Sequence, residues 1–201
     1  MLEILYSFML NIIDLNNKKK CIEFIEAVKE GSIFAYPTEA VFGLGCDINN
    51  KNSIKRILDL KKRDVSKGLI VISDNYEKIR NLVDDKYFGL FVENNDIDSV
   101  PTTWLCPASN KVLPEITGGS KNIAIRITKH PVSSNICKLL NLPIVSTSAN
   151  VAGAAPLLKL EEIINYFDNQ IDYIIKGKVG GTKNPTRIID LISKKVLRGE
   201  G

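Results

Sequence analysis

Ser146 and Ser148 follow the β-branched pair Ile144-Val145 at period-two spacing, so a strand that continues through them turns both hydroxyls to one face, with Asn150 close behind. The cations Lys61, Arg63, Arg126 and Arg198 and the hydroxyls of Thr38 and Thr186 each stand at an end of, or inside, an expected strand or helix. Such a set can clamp phosphates and a small zwitterion but offers no protein nucleophile. It suits a reaction in which bound substrates attack each other. The same Ser and Asn side chains would also serve a polar loop that satisfies only its own backbone. The run Lys61-Lys62-Arg63, with Lys67 just beyond, reads equally as a solvated face, but it lies between a helix and a strand, where sites are commonly built. Because it reads as a loop, loss of Lys61 or Arg63 is expected to weaken anion binding and leave the fold intact.

The elements that must hold these groups are legible in outline. Lys18 to Glu30 has apolar residues at helical spacing and ends at Gly31, a suitable C-terminal cap, and Ser53 can cap a second helix running to Leu60. Ile33 to Tyr36 reads as a strand stopped by Pro37, then a tight turn and the glycine-punctuated Phe42-Gly43-Leu44-Gly45. Leu69 to Ile72 is a strand, and Asn75 to Val83 has a helical pattern. Residues 84–100 are acidic and weakly patterned. Trp104 to Cys106 is a strand, Gly118-Gly119 a turn, and Ile123 to Ile127 an apolar strand with Arg126 embedded in it. An unpaired cation there is costly, so a carboxylate partner is expected. A helix from Pro131, the strand at Ile144, a helix from Leu160 to Phe167 and short strands at Tyr173, Ile188 and Val196 complete the order. Alternating helix and strand indicates one α/β domain on a mixed sheet, residues 18–201, preceded by an N-terminal extension, 1–17, with Met9 an alternative start.

Composition narrows the function. The 201 residues carry 27 Lys+Arg against 23 Asp+Glu, a net charge of +4 that leans towards anionic ligands. The four cysteines form no C-x-x-C pair, so buried reduced thiols in a cytoplasmic protein are expected. The single histidine, His130, has no acidic or cysteine neighbours suited to a metal site. The apolar start is too short to span a bilayer and has no basic leader region. No G-x-x-x-x-G-K-[ST], G-x-G-x-x-G, H-E-x-x-H or G-x-S-x-G signature occurs.

Five ordered stretches resemble the YrdC/Sua5/TsaC family. They are Tyr36-Pro37-Thr38-Glu39-Ala40-Val41-Phe42-Gly43-Leu44-Gly45-Cys46-Asp47, the Lys61-x-Arg63 pair with Lys67-Gly68-Leu69, Ala124-Ile125-Arg126, Ser146-Thr147-Ser148-Ala149-Asn150, and Asn184-Pro185-Thr186. The match begins near residue 18 and is most similar to the short, single-domain type. It implies a twisted mixed sheet with flanking helices and a basic concave surface. It also implies a nucleotidyltransferase, a threonylcarbamoyl-AMP synthase, that condenses L-threonine, bicarbonate and ATP to the adenylate and pyrophosphate. The product would pass to tRNA threonylcarbamoyl-transfer proteins for N6-threonylcarbamoyladenosine formation in tRNAs that read ANN codons. By the same resemblance Thr38, Arg126, Ser146 and Thr186 contact threonine. Lys61, Arg63, Asn122, Ser148, Asn150 and Arg198 face the ATP, with Mg2+ accompanying it.

Two positions depart from the family pattern. Asp64 stands where proline is usual, and an added carboxylate is expected to weaken the neighbouring cations by roughly 1 kcal/mol. A common Pro-Gly-Pro is reduced to Ser99-Val100-Pro101. A non-catalytic RNA-binding module using the same basic concavity is the competing reading, with weak RNA binding possible for the enzyme too. Stacking aromatics beside the cations would favour the module, and Trp104 and Phe42 read as core.

Overall fold

The computed structural model describes residues 11–97, 100–151, 154–167, 169–182 and 185–199, without the side chains of Asp96 and Ile97. Ser99, Ala152, Gly153 and Asn184 therefore lie outside the described residues, as does the chain before Asn11.

Among the described residues ten strands form one mixed sheet. In chain order they are β1 (Asn11–Ile13), β2 (Phe34–Pro37), β3 (Phe42–Gly45), β4 (Ile70–Ser73), β5 (Thr102–Pro107), β6 (Asn122–Ile127), β7 (Ile144–Ser148), β8 (Tyr173–Ile175), β9 (Arg187–Asp190) and β10 (Val196–Arg198). Across the sheet the order is β1-β8-β2-β3-β7-β4-β6-β5-β9-β10. Among the described residues six α-helices flank it: α1 (Lys18–Glu30), α2 (Lys51–Leu60), α3 (Asp85–Ile97), α4 (Pro114–Thr117), α5 (Pro131–Leu140) and α6 (Leu160–Tyr166).

The period of two separates the faces. On β7, Val145 enters the larger core with Val71 and Ile125, beneath Ile54, Ile57 and Leu58 of α2 and Ile163 of α6. Ile144 points the other way, to a smaller core with Ile72, Phe34 and Tyr36 that is covered by Phe24 and Val28 of α1 and Ile136, Cys137 and Leu140 of α5. Ser146 shares the parity of Ile144 and pairs with Ile70, which in turn aligns with Ala124, two residues before Arg126. The smaller-core face thus continues from packed side chains to polar ones along the same strands.

Helix ends follow local chemistry. The Asn17 side chain accepts from Lys20 N, and Gly31 closes α1 at φ 110°, a conformation open to glycine at little cost. The cap of α2 is Asn50, whose Oδ1 accepts from Ser53 N at 3.0 Å, and not Ser53 as expected. Ser53 is buried inside the helix and its hydroxyl donates to Gly31 O at 2.7 Å.

Other expectations are also corrected. Asn75 to Val83 is not a helix: only Glu77–Ile79 forms a single 3-10 turn, because Val83 is drawn into a bridge with Ala108 and Leu82 O accepts from Ser109 N. The unassigned stretch after it contains α3, anchored by Phe91. Within the stretch expected as an N-terminal extension, β1 pairs in parallel with β8 and Ile13 is buried. All four cysteines are free and buried. No described helix is long and apolar enough to cross a membrane.

Candidate active site

Where the smaller-core face is no longer covered by α1 and α5, the sheet leaves a cavity of about 310 Å³. Its wall draws on the β2–β3 turn (Thr38, Ala40, Val41), β3 (Gly43), Arg63, β4 (Ile70), β6 (Arg126) and the exit of β7 (Ser146, Thr147, Ser148, Asn150). Pro156, Pro185, Thr186 and Arg198 complete it. Eight of the ten residues expected at the site therefore meet in one place, and Lys61 and Asn122 do not line it. Glycine at 43 has a local reason, because a Cβ there would meet Thr38 Cγ2 at 3.2 Å and Thr147 O at 3.4 Å.

Arg126 is buried in the wall. Its Nη2 pairs with Glu39 Oε2 at 3.1 Å and its Nη1 donates to Thr186 Oγ1 at 3.0 Å. Thr103 and Arg198 also approach that hydroxyl, at 3.3 and 3.5 Å. The carboxylate partner expected for this buried guanidinium is therefore supplied by the protein. Glu39 stood unassigned inside a recognised motif, and only its distance in sequence from Arg126 concealed the pair.

Thr38 donates its hydroxyl proton to Val41 O at 2.7 Å, so towards the cavity its oxygen can act only as an acceptor. Tyr36 lies fully buried near Ser146, and burial, the largest influence, pushes its phenol far above the ordinary tyrosine value. The turn is held by the segment that follows β8: Gly180 N donates to Thr38 O and Thr182 N to Glu39 O, at 2.9 and 3.1 Å.

A second corner forms where α2 ends. Lys61, the C-cap of α2, is only 3% exposed, and its Nζ donates to Ser148 O and, at 2.5 Å, to Asn150 O. It thus pins the exit of β7 from behind the wall. The run expected as a loop therefore begins at the buried C-cap of α2. Burial, then the neighbouring Arg63 charge, lowers its pKa to about 8. Arg63 itself lines the cavity while Nε and Nη2 hold Gly68 O at 3.2 and 2.9 Å, and desolvation lowers its pKa. Arg198 donates to Thr186 O through Nε and Nη2, and its pKa is lowered by desolvation first and then by the Arg126 and Arg63 charges.

Asp64 is exposed beside the cations. Its Oδ1 accepts from Ser66 N at 2.9 Å and caps the turn Val65–Lys67, which holds its pKa below the usual carboxylate value. Asn122 opens β6 opposite Pro107, away from the wall. Trp104 and Phe42 are both in the larger core and absent from the wall, as expected. Ala40, Val41, Thr147, Pro156 and Pro185 line the cavity without having been singled out. Val41 and Thr147 stood inside recognised motifs, whereas nothing local marked Pro156.

The family model for Sua5/YciO/YrdC, described as "Telomere recombination", matches residues 26–199. A threonylcarbamoyl-AMP synthase of Pseudoalteromonas atlantica is 45% identical over 160 residues, covering 79% of this chain and 85% of the relative. Among solved structures, Sua5 of P. abyssi complexed with L-threonine is similar with a TM-score of 0.79 and 25% identity, covering 90% of this chain. The chain spans about half of that longer protein, 54%. YciO of E. coli shares the fold with a TM-score of 0.77 at 24% identity, 94% of each chain being covered.

Proposed function

The chain belongs to the Sua5/YciO/YrdC family, and we propose that it is a threonylcarbamoyl-AMP synthase. The observation that carries this reading is the pairing, in one cavity, of a buried guanidinium set among hydroxyls with a corner of cations that have no acidic partner among the described residues. Threonine binds beside Arg126, its carboxylate on the guanidinium and its hydroxyl and amine within reach of Thr38, Ser146 and Thr186. The triphosphate lies along Arg63 and Arg198 and against Ser148 and Asn150, with Lys61 supporting those two from behind. Asn122 meets only a part of the nucleotide that projects past the wall.

The threonine amine and bicarbonate give a carbamate with loss of water. Its carboxylate attacks the α-phosphate and pyrophosphate leaves, so no protein nucleophile is required. The protein contributes orientation of the reagents and fixed positive charge where the phosphates crowd. The described wall contains no carboxylate, and the described residues hold no group of three or more His, Cys, Asp or Glu placed to bind a metal ion. Magnesium therefore fits as the nucleotide's own counter-ion, carried on its phosphates. On this reading the adenylate serves tRNA threonylcarbamoyl transfer, and the protein works in the cytoplasm with transfer proteins as its downstream partners.

The test is incubation with ATP, L-threonine and bicarbonate, assayed for pyrophosphate and the adenylate. Formation of both only when all three are present is expected. Formation of neither contradicts the assignment.

A further inference from the structure

Glu39 is buried, 6% exposed, and does not line the cavity. A carboxylate in such a place is costly unless it is paired, and here two side chains meet it. Thr128 donates its hydroxyl to Oε1 at 2.7 Å, Arg126 Nη2 meets Oε2 at 3.1 Å, and Thr182 N donates to the Glu39 carbonyl at 3.1 Å. Gly180 lies against its backbone, where a Cβ would come within 2.8 Å of Glu39 O. The carboxylate is thus held by Thr128, the residue after β6, and by Arg126 of β6 itself, while the backbone of Glu39 is tied to the segment beyond β8. Arg126 has one nitrogen on Glu39 and another on Thr186, so its guanidinium plane is set from both sides before any ligand arrives.

We propose that Glu39 is a positioning residue for Arg126, presenting the guanidinium so that its remaining N–H groups meet the carboxylate of the amino-acid substrate. This rests on the function proposed above. Position, not negative charge, is the contribution. Negative charge beside Arg126 would by itself weaken its hold on an anion, whereas a fixed plane favours two parallel hydrogen bonds to a carboxylate.

Three substitutions separate the two contributions. Glu39→Gln keeps the length, with its amide oxygen towards Arg126 and its amide nitrogen donating to Thr128 Oγ1. Glu39→Asp keeps the charge but withdraws the oxygens by a methylene, and Glu39→Ala removes both. Calorimetry should measure L-threonine, threoninol (which lacks the carboxylate) and a non-hydrolysable ATP analogue against each folded variant. Glu39→Asp and Glu39→Ala are expected to weaken threonine binding by about tenfold or more, with Glu39→Gln recovering most of it. Threoninol and nucleotide binding should change by less than about threefold in all three. If Glu39→Ala does not fold, Glu39→Asp and Glu39→Gln decide. Retention by Asp with loss by Gln, or an equal loss for threonine and threoninol, overturns the positioning role. A wild-type protein that binds no threonine overturns the proposed function itself, whereas wild-type binding that no substitution alters overturns only the role of Glu39.

Discussion

The Arg126 cluster and the Lys61–Arg63 corner both hold buried or half-buried cations in or behind the wall of the same cavity, but they neutralise them differently. Arg126 has an acid, Glu39, and a hydroxyl, Thr186. Lys61 and Arg63 have only backbone carbonyls, those of Ser148, Asn150, Lys67 and Gly68, and take part in no ion pair among the described residues. A guanidinium already paired to a carboxylate has little net field left for a polyanion but keeps its geometry, which suits one small carboxylate. Cations tied to carbonyl dipoles keep their full charge, and their mutual repulsion and desolvation are relieved when phosphates arrive. The lowered pKa values of Lys61, Arg63 and Arg198 express that unrelieved cost.

The largest expected difference between the two regions is in stability. Arg126→Ala strands the buried Glu39 carboxylate and is expected to cost about 3–5 kcal/mol in denaturant unfolding. Lys61→Ala leaves two carbonyls without their donor and strands no charge, so about 1–3 kcal/mol is expected. Equal losses for the two would erase the distinction.

A smaller effect separates them by pH. The folded-state pKa of Lys61, about 8, lies below its ordinary value of 10.5, so between those values the unfolded chain binds more protons than the folded one. The Lys61 contribution to stability therefore rises as pH climbs from about 8 to 10.5 and is lost as pH falls through about 8. Affinity for the triphosphate should run the opposite way, falling as Lys61 loses its proton. Melting and nucleotide titrations from pH 7 to 10 on wild type and Lys61→Met should show both trends in the wild type only.

Removal of the first eight residues is expected to touch neither region. A chain starting at Met9 keeps β1, whose Ile13 is buried, and is expected to match the full chain within about 0.5 kcal/mol and in activity. A large fall in melting temperature would show that the first eight residues pack on the core.

The sequence was most legible where short-range chemistry decides the outcome. Gly31 marked the end of α1, and Ser146 and Ser148 follow the period of β7 onto the cavity. It was least legible where a distant partner decides. Val83 has the right spacing for a helix and is claimed by Ala108. Lys61 looks like one of a run of surface cations, and only the return of β7 beside α2 gives its amine two carbonyls to hold. Glu39 and Arg126 are 87 residues apart by their numbers, so their pairing follows from the juxtaposition of the β2–β3 turn with β6, which no local pattern encodes. The weak amphipathic pattern that hid α3 has a similar origin, since Phe91 anchors it against a sheet formed largely by later residues.

The central claim, that the cavity assigns threonine to the Arg126 cluster and phosphates to the Lys61–Arg63 corner, is tested most directly by steady-state adenylate synthesis with threonine and ATP varied separately. Wild type, Arg126→Lys and Arg63→Ala are compared. The lysine ammonium cannot serve Glu39, Thr186 and a substrate carboxylate in one plane, so Arg126→Lys should raise the threonine requirement by an amount equivalent to roughly 1.5–3 kcal/mol and leave the ATP requirement nearly unchanged. Arg63→Ala should do the reverse by a similar amount. If Arg126→Lys instead changes the ATP dependence and spares that of threonine, the division of the cavity is wrong.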